Sequence, residues 1–119
     1  MIIHFSRESG FSNIKLTAQA DLESGQLVYG AARLKRTLSA DEIRDLENEI
    51  KAVNFFDLPA HVGSPGRPDS FRYEVTVEEG GKRHSVSVDE PAQENLQPLL
   101  KHLTRLASSR PKNSESDHK

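Results

Sequence analysis

Five histidines, His4, His61, His84, His102 and His118, are the side chains best suited to chemistry in this chain. None stands at metal-ligand spacing. There is no His-Glu-x-x-His helix and no close pair of His with a carboxylate partner. Each reads as an ordinary polar residue, and His102 either lines a site near a helix end or is a solvated flank. Asp41, Asp45 and Glu49 fall on one side of a helix. Paired carboxylates do acid–base work only in a cleft that gives them unequal environments; on an exposed helix face they are solvated. Serines are plentiful, but none sits in Gly-x-Ser-x-Gly. Gly80-Gly81 lacks the strand–loop–helix order of a phosphate cradle and reads as a turn. There is no cysteine, which removes disulfides, thiolate metal sites and a Cys nucleophile together. No enzyme activity, cofactor or metal is expected.

Composition bounds the partners. With 119 residues the chain has material for one small core and little for a deep cleft. A net charge of −2 gives no field for nucleic acid. No stretch reaches the roughly 20 apolar residues of a membrane helix, and the N-terminus reads as a short strand, not a leader. Neither nucleic acid nor membrane is an expected partner, and a cytoplasmic setting is expected.

The elements come from periodicity. Ile3 and Phe5 share a face of a short first strand, and residues 14–22 alternate with period two. Glu23-Ser24-Gly25 turns the chain into a returning strand at Leu27-Val28-Tyr29. Residues 30–37 carry Arg33, Lys35 and Arg36 without clear periodicity and read as an exposed edge or a loop. Ser39 with Glu42 forms a capping box, and Ile43, Leu46, Ile50 and Val53 repeat helically. Pro59 stops any continuation. Phe71, Tyr73, Val75 and Val77, then His84, Val86 and Val88, alternate on either side of the Gly80-Gly81 turn, which predicts a hairpin. Leu96, Leu99, Leu100, Leu103 and Leu106 define a final helix with Pro98 in its first turn. The expected fold is a single α+β domain over residues 1–107. An antiparallel β-sheet of about four to five strands, including a hairpin, is covered by two α-helices. A polar tail, residues 108–119, is expected to be disordered.

What remains is surface. Val53-Asn54-Phe55-Phe56-Asp57-Leu58-Pro59 closes the first helix and opens a long Pro/Gly loop over residues 60–70. The adjacent Phe pair reads chiefly as core. Leu58 and Val62 are anchors or plugs. Phe11, at the tip of a turn, either serves association or folds back onto the core.

These segments, in this order, resemble the emfourin family, small bacterial cytoplasmic inhibitors of thermolysin-like zinc metallopeptidases, including protealysin. The resemblance lies in Ile2-Ile3-His4-Phe5 with Ser9-Gly10-Phe11-Ser12, in Phe55-Phe56-Asp57-Leu58-Pro59 and in Asp69-Ser70-Phe71-Arg72-Tyr73. It continues through Gly80-Gly81-Lys82-Arg83-His84-Ser85-Val86 and residues 96–103. Glu8-Ser9 stands before Gly10 where the pattern has a further small residue, and residues 20–39 are longer than the pattern. The resemblance implies a stoichiometric inhibitor that occludes the cleft of such a peptidase in a 1:1 complex. The candidate contact residues are Ser9, Gly10, Phe11, Ser12, Asn13, Leu58, His61 and Val62, with Gly10-Phe11 favoured because a turn tip enters a cleft. The alternative is a non-catalytic protein–protein interaction module, an adaptor with no protease target.

Overall fold

A computed structural model describes residues 1–9, 15–30, 32–63, 71–89 and 94–108. Seven strands and two helices are found among them: β1 (Ile2–Ser9), β2 (Lys15–Asp21), β3 (Gln26–Tyr29), β4 (Leu34–Thr37), α1 (Ala40–Ala52), β5 (His61–Val62), β6 (Phe71–Glu79), β7 (Lys82–Asp89) and α2 (Gln97–Ala107). The strands form one sheet in the order β4-β3-β2-β1-β6-β7-β5. Every pairing is antiparallel except β5 with β7.

The central strand sets the core. Phe5 lies opposite Ala18 on β2 and Val75 on β6; Ile3 lies opposite Ala20 and Val77. Period-two alternation places these side chains on one face, where all are buried. Leu46 and Ile50 from α1 and Leu99, Leu103 and Leu106 from α2 join the same apolar cluster. The other face stays polar: Thr76 and Ser85 hydroxyls hydrogen-bond across β6 and β7 at 2.8 Å, and His4 meets Glu78 at 2.9 Å.

The sheet differs from expectation in strand number and sense: seven strands in a mixed sheet, not four to five antiparallel ones. β4 is the outermost strand on its side and buries no side chain, so it has no alternation to display. β5 is two residues long, below the length at which period two is detectable. β1 continues past its apolar pair through Ser6–Ser9, which stay paired with β6, and Arg7 lies over the Phe71 ring, 4.2 Å from its centroid. The disordered tail was expected over residues 108–119; Ser108 instead caps α2, its hydroxyl donating to the Thr104 carbonyl at 2.6 Å, and residues 109–119 lie outside the described residues.

The capping box forms as expected. The Ser39 hydroxyl accepts from Glu42 N–H at 3.1 Å, and the Glu42 carboxylate accepts from Ser39 N–H at 2.8 Å. The same carboxylate accepts two bonds from the Arg36 guanidinium at 3.2 and 3.0 Å. These bonds, Arg36 first and then Ser39, hold Glu42 below its ordinary carboxylate pKa. Pro98 sits in the first turn of α2, after a single 3-10 turn at Glu94–Leu96.

Candidate functional site

Strand directions gather several connections at one end of the sheet. β1, β3, β5 and β7 finish there, and β2, β4 and β6 begin there. Ser9, the last residue of β1, is the register partner of Phe71, the first of β6. The described residues flanking the β1–β2 connection and the β5–β6 connection are therefore strand neighbours. Gly10, Phe11, Ser12 and Asn13 lie outside the described residues, as do residues 64–70.

Leu58, His61 and Val62 are fixed by a network built on the aromatic segment. Asn54 takes a left-handed backbone (φ 51°) and reverses the chain after α1. Phe55 then turns into the core at 2% exposure, with Phe56 half-buried beside it. Their rings meet edge-on at 6.1 Å, and the His84 ring of β7 meets Phe55 edge-on at 5.6 Å. His84 Nε2–H donates to the Leu58 carbonyl at 2.6 Å. This bond ties the segment after α1 to the sheet, and Ser87 N–H extends the tie by donating to the Ala60 carbonyl at 2.8 Å. Leu58 is half-buried against the core, and Val62 is 5% exposed and part of it. As arranged, both apolar side chains are plugs. His61 alternates with Val62 and is exposed.

One charged cluster stands at this end. Asp89, the last residue of β7, is 4% exposed. Its Oδ1 accepts from Arg72 Nε at 3.0 Å, an interaction that raises the Arg72 pKa. Its Oδ2 is 3.1 Å from His61 Nε2, yet no donor is aligned on it for a hydrogen bond. Gly63, with φ +94°, passes so close that a Cβ there would lie 2.9 Å from the Asp89 carbonyl oxygen. Asp89, Arg72 and His84 were not among the candidate contact residues read from the sequence. The signal for the first pair was present: the two-residue Gly80-Gly81 turn sets the hairpin register, and that register pairs Arg72 with Asp89.

The remaining chemistry-capable residues do not converge. His102 is buried, and its Nδ1 lies 3.0 Å from Glu49 Oε1 across the α1–α2 contact, so it is neither a solvated flank nor part of a cleft. Glu49 thereby leaves the solvated row. Asp41 and Asp45 stay exposed and face Arg44. Among the described residues no three His, Asp or Glu side chains come together to hold a metal, and no helix is long and apolar enough to cross a membrane. A cavity of about 220 Å³ lies on the polar sheet face, lined by Ser6, Thr17, Gln19, Glu74 and Thr76 among others. It brings hydroxyls and an amide together with Glu74, Arg33 and His4, and the His4 Nε2 that could serve as a base is already engaged by Glu78 at 2.9 Å.

The fold and this arrangement define a small α+β protein that offers a loop-bearing sheet end. The chain belongs to the Emfourin family, whose model matches residues 5–104, from the centre of β1 to the last turns of α2. Membership of this family points to the role of a metallopeptidase inhibitor. A search of the curated proteins gives no match.

Proposed function

We propose that the protein is a stoichiometric inhibitor of a thermolysin-like, protealysin-type zinc metallopeptidase, and that it closes the active-site cleft with the loop-bearing end of its sheet. The family match over residues 5–104 carries this reading. The convergence of strand ends supports it, because connections anchored on neighbouring strands can meet a cleft together. The Ser9–Phe71 pairing anchors one side of that end. β5, tied to β7, anchors the other.

The physical demand on such an inhibitor is to exclude substrate without being cut efficiently. Anchoring lowers the ordering cost of association, so more of the contact free energy remains as affinity. The Gly10-Phe11 turn, with Ser9, Ser12 and Asn13, is the favoured cleft-entering contact. Phe11 would occupy the apolar pocket that such peptidases offer just after the scissile bond. His61 contributes from the neighbouring loop, while Leu58 and Val62 hold that loop to the core. Binding takes place in the bacterial cytoplasm in this reading and requires no cofactor.

The test is a titration of a neutral zinc metallopeptidase, read with a peptide substrate. Activity should fall linearly and reach its floor at one inhibitor per enzyme. Absence of inhibition at micromolar concentration across protealysin-type enzymes sinks the proposal and leaves an adaptor. Phe11→Ala is expected to weaken inhibition by about a hundredfold or more, the loss of a buried aromatic anchor. A change of less than about twofold, well below the cost of a buried anchor, would exclude Phe11 from the pocket.

A further inference from the structure

We infer that Asp89 sets the tautomer of His61, so that His61 presents ring nitrogen Nδ1 to the bound peptidase as a hydrogen-bond acceptor. This inference rests on the inhibitor reading for the identity of the partner, but its first half concerns the free protein alone.

A buried carboxylate can only accept hydrogen bonds, and a buried polar atom without a partner costs about 1–3 kcal/mol. Asp89 is 4% exposed. Arg72 Nε serves its Oδ1, and Oδ2 lacks an aligned donor. The group 3.1 Å from Oδ2 is His61 Nε2. His61 is half solvent-exposed, with 44% of its side chain accessible, so its ring has room to turn the few degrees that align the bond. Nε2 must then carry the hydrogen. In the neutral ring the lone pair is left on Nδ1, because the bond made by one ring nitrogen sets the state of the other. Among the described residues no hydrogen bond to Nδ1 is made.

The surroundings keep this arrangement in place. The described charged groups around the pair are Arg72 on β6, which holds the other carboxylate oxygen, and Glu8 on β1 and Glu74 on β6, which act on Arg72 in turn. His61 is exposed while its neighbour Val62 is buried, so the ring stands at the surface on a strand pinned to the core. An imidazole with its tautomer set in advance costs a partner nothing to orient. It favours a partner that brings an N–H or O–H donor to this place and disfavours one that brings a carbonyl or carboxylate.

Two measurements test the inference. Nitrogen-15 NMR of the free protein at mildly alkaline pH reads the tautomer directly. The Nε2–H form is expected for His61, and Asp89→Asn should remove that preference. An Nδ1–H form in the free protein would overturn the inference. Inhibition constants then separate the two ring positions. His61→Asn keeps a polar atom near Nδ1, and His61→Gln keeps one near Nε2. His61→Gln should weaken inhibition about tenfold, the loss of one well-placed hydrogen bond, and His61→Asn clearly less. Equal loss in both variants, or no loss in the Gln variant, overturns the acceptor role. His61→Asn leaves the buried Asp89 Oδ2 without its neighbour, so melting curves are recorded for both variants and inhibition is compared on folded protein; the result does not depend on whether Asp89→Asn folds. If the parent protein inhibits no metallopeptidase, the proposed function and the acceptor role fall together, while the NMR result stands by itself.

Discussion

Gly63 and Phe55 show how single residues fix the candidate site from behind. Gly63 has φ +94°, where side-chain-bearing residues are strained, and a Cβ would stand 2.9 Å from the Asp89 carbonyl. Gly63→Ala combines both penalties and is expected to destabilise the fold by about 1–3 kcal/mol. Urea unfolding measures the loss. Hydrogen exchange at the Ser87 amide, bonded to the Ala60 carbonyl, shows whether it is local to β5, in which case exchange there speeds up more than at the centre of β1. Equal stability of the two proteins contradicts the close approach. Phe55 is 2% exposed, whereas Phe56 is only partly buried. Phe55→Ala should therefore cost about 3–5 kcal/mol, and Phe56→Ala markedly less. Adjacent identical residues leave no sequence clue to which one points inward. The left-handed Asn54 before them decides it, and positive φ at a non-glycine residue has only a weak sequence signature.

At the scale of elements, legibility followed burial. The start and the buried face of α1 were readable because its cap, its acidic first turn and its apolar stripe are all local in sequence, whereas its end at Ala52, ahead of the left-handed Asn54, was not. The β6–β7 hairpin was readable for the same reason. β4 and β5 were not, since an edge strand that buries nothing and a two-residue strand have no periodicity to display. Of the two ion pairs that assemble the candidate site, one follows from the hairpin register and the other was hidden. Arg72 and Asp89 are 17 residues apart and meet only through hairpin register. His61 reaches Asp89 only through a parallel pairing that no local pattern encodes. The α1 cap gives a prediction at this same scale. Ser39→Ala should lower stability by about 1 kcal/mol. Glu42 is held below its ordinary pKa by Arg36 and Ser39, so its folded value lies under its unfolded one. A group lowered in this way stabilises the fold above the unfolded pKa, and the contribution is lost as pH falls through the folded pKa. Urea midpoints of the parent protein and Glu42→Gln should thus differ most at neutral pH and converge in the acid range below the ordinary glutamate value. A difference that stays constant down to that range contradicts the linkage.

Across the whole molecule, the sheet separates a loop-bearing end from an end closed by tight turns. The β6–β7 connection at the second end is the two-residue turn Gly80-Gly81, with φ of +58° and +82°. No atom lies within 4 Å of a Cβ placed at either position, so nothing packs there that an insertion would displace. The proposed contacts lie at the opposite end, beyond Ser9, Phe71 and Val62. A flexible Gly/Ser insert between Gly80 and Gly81 should therefore leave inhibition unchanged. Its cost to stability is the lost two-residue turn geometry plus a closure entropy that grows by about 0.6 kcal/mol for each doubling of a flexible loop, and the melting curve reads it. The same insert between Gly10 and Phe11 is expected to weaken inhibition severely at equal melting temperature, since it unties the favoured contact from β1 without touching the buried strands. Inhibition constants and melting curves for the two insertion variants decide the matter. Loss of inhibition on insertion at Gly80-Gly81, with the fold intact, would place the contact surface at the tight-turn end and reverse the proposed orientation on the peptidase.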